Sequence, residues 1–191
     1  MIPLEYRYEL FRILTRDITI SEEAYKYLSK NKFFVAPASS KHHLAYEGGL
    51  FEHSVNVALN LGQLTENLGL KWERPESPKL IGLFHDLCKI DQYLWDPVLK
   101  KYVWNKDQPV LGHGDKSIKY IEDNIIKLTD EEKACIRWHM GAFDEKENWT
   151  NYTNAIHKYP NVLWTHTADM MSTHITEQDS QSEGNDNDSN S

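Results

Sequence analysis

Apolar residues recur along most of this chain at intervals of three and four, the period that lays them on one side of a helix. Leu4, Tyr8, Phe11 and Leu14 set that period within residues 3–17. Ser21 ahead of Glu22 and Glu23 offers a side-chain oxygen to open backbone N–H groups, so a second helix is expected to run from there to about Lys30. Residues 33–40 contain Pro37 and small side chains and read as an extended connector. Leu50, Ser54, Val57, Leu61, Leu64 and Leu68 then mark one side of a long helix, with Gly48-Gly49 letting the backbone turn sharply before it. Pro75 and Pro78 lead into a short helix over 79–89, apolar at Leu80, Ile81, Leu83, Phe84 and Leu87 and too hydrophobic for a surface.

The pattern changes at residues 93–104. Tyr93, Trp95, Val98, Tyr102, Val103 and Trp104 flank a middle containing Pro and Lys, which reads as a short β-hairpin or aromatic flap. Helical spacing returns at about 113–127, 130–140 and 160–176, with acidic residues from Asp130 and the pair Pro160-Asn161 as helix openings. From Glu177 onward no apolar residue remains, and that acidic stretch is expected to be disordered. The expectation is an all-α protein with no internal repeat. N-terminal helices in 1–32 pack on a main domain at 33–176, and a tail follows at 177–191.

Composition narrows the function classes. At 191 residues the chain suits one domain with a sizeable core. Its apolar runs fall well short of the roughly 20 residues that span a bilayer. The N-terminus lacks the basic-then-apolar layout of a signal peptide, so no membrane association and a cytoplasmic location are expected. Net charge is −8, and Glu177, Asp179, Glu183, Asp186 and Asp188 carry five of those charges, leaving −8 − (−5) = −3 on the body. With no basic stripe, a long nucleic-acid tract is not an expected partner. The two cysteines, Cys88 and Cys135, do not make a disulfide framework and read as buried small side chains.

There are nine histidines, and their placement carries the chemistry. His85-Asp86 is an imidazole–carboxylate pair inside an apolar segment, where burying either group alone is costly. A structural His–Asp pair capping a neighbouring helix would satisfy it, and so would a cation shared by both side chains. Gly48-Gly49-Leu50-Phe51-Glu52-His53, then Gly82-Leu83-Phe84-His85-Asp86-Leu87-Cys88-Lys89, then Ala168-Asp169 resembles the H…HD…D signature of HD-domain phosphohydrolases, over roughly residues 33 to 175. The resemblance implies an HD helical bundle with the hairpin inserted after the HD helix. It also implies a divalent metal on His53, His85, Asp86 and Asp169. Mixed imidazole and carboxylate ligands suit Mn²⁺, Fe²⁺, Co²⁺, Ni²⁺ or Zn²⁺ better than Ca²⁺.

In the subset of the family with an H…HD…H…H…D order, residues placed like His113 and His139 bind a second ion, with the Asp of the pair bridging both. The alternative is one ion, with His113 and His139 binding phosphate or donating protons. Lys89 matches the HDxxK form of the motif, which implies a catalytic role beside Asp86 in stabilising phosphoryl charge; a surface lysine at a helix end is the other reading. His43 falls where related sequences carry a histidine and is a candidate on the substrate side, together with Lys89 and His166. His166, three residues before Asp169, could equally be a hydrogen-bonded core histidine. Glu52 is placed to support His53, while His42, His157 and His174 read as surface residues. Trp95 and Trp104 could stack on a nucleobase, although packing within the flap is the commoner role of such residues.

The function expected is hydrolysis of a phosphoester by metal-activated water, with a small phosphorylated substrate, a nucleotide or short oligonucleotide, as partner. Deoxynucleotide phosphohydrolysis, by a nucleotidase or triphosphohydrolase, is the alternative, followed by a non-catalytic nucleotide-binding module. Within the family the resemblance is closest to the HD domain of 3′–5′ exoribonucleases, which share the Gly-Gly-Leu-x-Glu-His element and an aromatic insert. Those enzymes join that domain to an OB-type module, for which the residues before 33 are too few. The HD-GYP phosphodiesterases fit less well, because Lys158-Tyr159-Pro160 is not Gly-Tyr-Pro.

Overall fold

The computed structural model describes residues 1–41, 44–141 and 146–177. The expectations for His42, His43 and residues 178–191 therefore lie outside the described residues. Eight α-helices and one hairpin make up the described chain: α1 (Leu4–Leu14), α2 (Glu22–Lys30), α3 (Gly49–Leu68), α4 (Ser77–Phe84), β1 (Tyr93–Asp96), β2 (Lys101–Trp104), α5 (His113–Asn124), α6 (Asp130–Trp138), α7 (Trp149–Lys158) and α8 (Asn161–Met171). The fold is all-α with a small hairpin, as the residue pattern indicated. Among the described residues no helix is long and apolar enough to cross a membrane.

Helix α3 is the central rod, packed against α4 and α8, while α6 packs on both α5 and α8. Leu50, Val57 and Leu61 on α3 meet Leu80, Leu83 and Phe84 on α4 and Val162 and Ala168 on α8 in one apolar cluster. Phe11 of α1 and Leu28 of α2 belong to the same cluster. Phe33 and Phe34, in the buried connector after α2, make edge-on contacts with Phe11 at 6.0 and 5.4 Å. Ser21 caps α2 by accepting from the Ala24 N–H, and Thr129 opens α6 in a reciprocal capping box with Glu132.

Two glycines set how closely the helices approach at the functional end. A Cβ on Gly82 would lie 2.3 Å from Cα of Ala58, so α4 and α3 meet backbone to backbone there. A Cβ on Gly114 would lie 2.6 Å from Cα of Arg137, which brings the start of α5 onto the end of α6. His85 and His113 are close along the chain to these contacts, and the tight approach carries both into the bundle.

Three features differ from the sequence reading. The helix expected over 79–89 ends at Phe84; the chain turns at His85-Asp86 and resumes as a 3₁₀ helix at Leu87–Asp91. Helix α7 was not expected: its sequence is polar and rich in Asn and Thr, and no residue in it is buried. Only Tyr152, Ala155 and Ile156 press partly against the core. Glu177, assigned from sequence to a disordered tail, is buried at the end of the last helix. The hairpin is antiparallel with Tyr93 opposite Trp104 and Trp95 opposite Tyr102. These cross-strand aromatic pairs have centroids 6.1 and 5.3 Å apart and hold the two strands together.

Candidate metal centre

Two helix ends dictate the state of two histidines. His85 follows the last residue of α4, and His139 follows the last residue of α6. Carbonyls in a last helical turn lack partners within the helix. The Nδ1–H of His85 donates to the Gly82 carbonyl at 2.9 Å, and that of His139 to the Ile136 carbonyl at 2.7 Å. With the proton fixed at Nδ1, each ring turns its Nε2 lone pair inward. Both rings are fully buried, and neither Nε2 has a hydrogen-bond partner among the described residues. An unprotonated, desolvated imidazole nitrogen facing other polar groups is the form in which histidine binds a cation.

The carboxylates face these nitrogens from two directions. Asp86, at the turn after α4, has Oδ2 3.5 Å from His53 Nε2, 3.6 Å from His85 Nε2 and 2.6 Å from Lys89 Nζ. Its Oδ1 lies 2.6 Å from His113 Nε2 and 3.5 Å from His139 Nε2. Asp169, on α8, puts Oδ1 3.2 Å from His53 Nε2 and 3.9 Å from His85 Nε2. One oxygen of Asp86 thus serves His53 and His85, and the other serves His113 and His139. The His53–His85, His85–His139 and His113–His139 ring centroids are 5.3, 4.8 and 5.2 Å apart.

Burial and charge act against each other here. Burial opposes a charge on His53, but the Asp169 and Glu177 carboxylates outweigh it and raise its pKa to about 10. His113 is likewise raised to about 10, its burial overcome by Cys88 and Asp86. His85 goes the other way: burial, with His139 and His53 close by, lowers it to about 4 against the pull of Asp86. Burial would raise Asp86, yet Lys89, His85 and His113 hold it well below the ordinary carboxylate range. His53 does the same for Asp169. The Asp86 carboxylate holds the Lys89 ammonium in its charged form despite burial.

Donor atoms of His53, His85 and Asp86 lie within 4.8 Å of one another, as do those of His85, His139 and Asp169, and those of Asp86, Cys88 and His113. Imidazole nitrogens and carboxylate oxygens from α3, α4, α5, α6 and α8 therefore converge on one region, with two unsatisfied nitrogens that a divalent cation would satisfy. The residues present fit such an ion. The family model described as HD domain matches residues 50–173. The chain belongs to the HD domain family. No match was found among curated proteins or among solved structures. HD domains are in general metal-dependent phosphohydrolases, and the cluster on this HD domain could hold a divalent metal.

The structure brings His53, His85, Asp86, His113, His139 and Asp169 together, with Lys89 bonded to Asp86. His166 sits one step back, its Nδ1–H donating to the His139 carbonyl at 2.7 Å, a contact that ties α8 to the end of α6. Glu52 lies beside Tyr46, whose phenol is pushed up by burial and by that carboxylate. His157 and His174 are exposed, and His43 lies outside the described residues. Trp95 and Trp104 are exposed on the hairpin. Trp104 borders a cavity of about 380 Å³ whose wall also includes Cys88, Lys106, His113 and Lys116.

Glu177 was missed by sequence reasoning. Its Oε1 accepts from His53 Nδ1 at 2.8 Å, and both side chains are 1% exposed. The link depends on a wide helical turn at Ser172–Thr176, where the Glu177 N–H bonds back to Ser172. That i→i+5 turn absorbs one extra residue, so the eighth residue after Asp169 comes round where the seventh would stand. The carboxylate fixes the proton on Nδ1 and leaves Nε2 facing the carboxylates of the cluster. Glu177→Gln is expected to weaken divalent-cation binding by about 10- to 100-fold, read by competition with a chelating dye. Unchanged affinity would show that the negative charge of Glu177 adds nothing to His53 as a ligand.

Proposed function

We propose that this HD domain hydrolyses a phosphoester of a nucleotide or short oligonucleotide. The observation that carries the reading is the pair of buried Nε2 atoms, on His85 and His139, turned toward two carboxylates with no hydrogen bond of their own. His53, His85, Asp86 and Asp169 would hold one ion, and His113 and His139 a second across Asp86. When bound, a divalent ion supplies Lewis acidity toward water and phosphoryl oxygens. The protein supplies the rest. Asp86 presents both oxygens from a rigid turn, and Lys89 keeps a permanent positive charge beside it where negative charge develops on phosphorus. His113, with its side chain 26% exposed, stands between the cluster and the open cavity, its Nε2 hydrogen-bonded to Asp86.

Features of the cavity walls support this substrate class. The exposed Lys106 offers positive charge beside His113, and the exposed indole of Trp104 offers a stacking face. A volume of about 380 Å³ suits a nucleotide-sized group. The net charge of −8 disfavours long polyanions, which bind through many phosphate contacts. The test is an assay of purified protein with Mn²⁺, and in parallel Co²⁺, Ni²⁺ and Zn²⁺. It covers nucleoside mono-, di- and triphosphates in ribo and deoxy forms, cyclic nucleotides, oligoribonucleotides of a few residues, and long RNA. Turnover of mononucleotides or short oligomers ahead of long RNA is the expected result. Metal-loaded protein that cleaves none of these phosphoesters would end the proposal.

A further inference from the structure

Asn60 interrupts the apolar side of α3. Val57 and Leu61 close to it are fully buried, and Asn60 itself is only 7% exposed, so its amide needs partners inside the bundle. It finds them on the segment that follows α8. Nδ2 donates to Ser172 Oγ at 2.9 Å and to Thr176 Oγ1 at 3.3 Å, which engages both protons of the amide nitrogen. Ser172 and Thr176 are the first and last residues of the wide turn that delivers Glu177.

The direction of these bonds follows from what the two hydroxyls do elsewhere. Ser172 Oγ donates to the Ala168 carbonyl at 3.0 Å, and Thr176 Oγ1 donates to the Met171 carbonyl at 3.5 Å. With each hydroxyl proton directed at a helical carbonyl, both oxygens turn lone pairs toward α3, and an NH₂ group is what meets them. An i→i+5 turn is a rare backbone form, found mostly as single turns within helices. Here one side chain from another helix grips it at both ends. The same helix carries the ligand, because Asn60 follows His53 by seven residues, about 10 Å along α3. One rigid element thus presents both His53 and the clamp on the turn whose next residue, Glu177, puts Oε1 2.8 Å from His53 Nδ1.

We infer that Asn60 is a positioning residue of the metal centre, acting through Glu177. It holds the 172–176 turn at the width that sets the Glu177 carboxylate against His53. The inference rests on the metal-dependent reading above and extends the centre beyond its ligands and their direct partners. Asn60 touches neither cation nor substrate in this arrangement, so its effect on metal binding travels only as far as Glu177 carries it. The docking of the segment after α8 onto α3 then decides how well His53 is oriented.

A double-mutant cycle on the full chain tests this without any substrate. Asn60→Ala should weaken Zn²⁺ or Mn²⁺ binding by about tenfold in competition with a chelating dye, the lower end of the effect of losing a partner of a metal-ligating histidine. Added to Glu177→Ala, the same substitution should change affinity by less than about twofold, because the route is already cut. Hydrogen exchange on the metal-free protein gives a readout that needs no ion. The Glu177 amide, bonded to the Ser172 carbonyl, should lose protection in Asn60→Ala while the amides at 53–57 of α3 keep theirs. Ser172→Ala removes one acceptor from the other side and should move both readouts the same way, so the test stands even if Asn60→Ala does not fold. Wild-type affinity in folded variants, an equal loss with and without Glu177, or full protection of the Glu177 amide would overturn the inference and leave the phosphohydrolase reading standing. Protein that binds no divalent ion at all would overturn both.

Discussion

Asp86→Asn should lower kcat/KM for phosphoester hydrolysis by at least about a thousandfold, some 4 kcal/mol of transition-state stabilisation. The size of the effect comes from the way one side chain is shared. Oδ2 faces His53, His85 and the Lys89 ammonium, while Oδ1 faces His113 and His139. An asparagine keeps the shape but replaces one oxygen with an NH₂ group that carries no negative charge and no lone pair for a cation. Whichever way the amide turns, either the Lys89 side or the His113 side meets a donor instead of an acceptor. The variant should also bind at least one divalent ion fewer, read by metal analysis of the dialysed protein. Its melting temperature should fall, because Lys89 loses the carboxylate that does most to offset its burial. Helical circular dichroism is expected to survive, since the apolar contacts of α3 with α4 and α8 do not involve Asp86. Wild-type kcat/KM in a folded Asp86→Asn protein would remove Asp86 from the reaction.

The parts of this protein that were legible in the sequence are those where one residue type has one dominant reason to be there. The period of Leu50, Val57 and Leu61 marked α3 because a central helix must bury a continuous apolar side. His85-Asp86 stood out because a charged pair in an apolar segment needs a compensating partner. Elements held by tertiary contacts were harder to see. Helix α7 buries no residue fully, and its Asn and Thr side chains weaken helix propensity, although Tyr152, Ala155 and Ile156 carry a faint three-and-four spacing. The break at Phe84 was hidden because Leu87 and Cys88 continue the apolar run; the turn places Asp86 at φ −103°, ψ 18°, off the helical path and facing the histidines. Glu177 was read as tail because its neighbours are polar. Only the wide turn at Ser172–Thr176 brings it to His53, and a register shift of that kind leaves little trace in composition. Cys88 was read as a small apolar side chain, which its burial alone would support; its distance to His113 is a fact of the fold.

Stripped of divalent ions, the protein should be most stable near pH 6.5 and lose stability on both sides, and metal should flatten the alkaline side. His53 and His113 have folded pKa values of about 10, above the ordinary histidine value of 6.5. Below pH 6.5 the folded and unfolded chains both hold these protons, and the full benefit of pairing with Asp169, Glu177 and Asp86 is present. As the pH climbs from 6.5 toward 10, only the folded state still holds them, so stability falls with each step and the contribution is gone above 10. His85 works in the opposite sense. Its folded pKa of about 4 means that below pH 6.5 the unfolded chain gains a proton the folded chain refuses, and stability falls as the pH drops from 6.5 to 4. Asp86 and Asp169, depressed by their cationic neighbours, add to the loss on the acid side once the pH passes below the ordinary carboxylate range. Each buried histidine contributes on the order of a few kcal/mol over its window. A bound cation takes the place of the protons on His53 and His113, so its affinity should rise with pH and its binding should release protons to the buffer. Chemical denaturation from pH 5 to 9.5, with chelator and with saturating Zn²⁺ or Mn²⁺, measures both curves, and calorimetry in buffers of different ionisation heat counts the protons. Metal-free stability that stays level or rises between pH 6.5 and 9 would mean that His53 and His113 are not held as cations by these carboxylates. The close contacts at Asp86 and Asp169 would then have to be made by neutral rings.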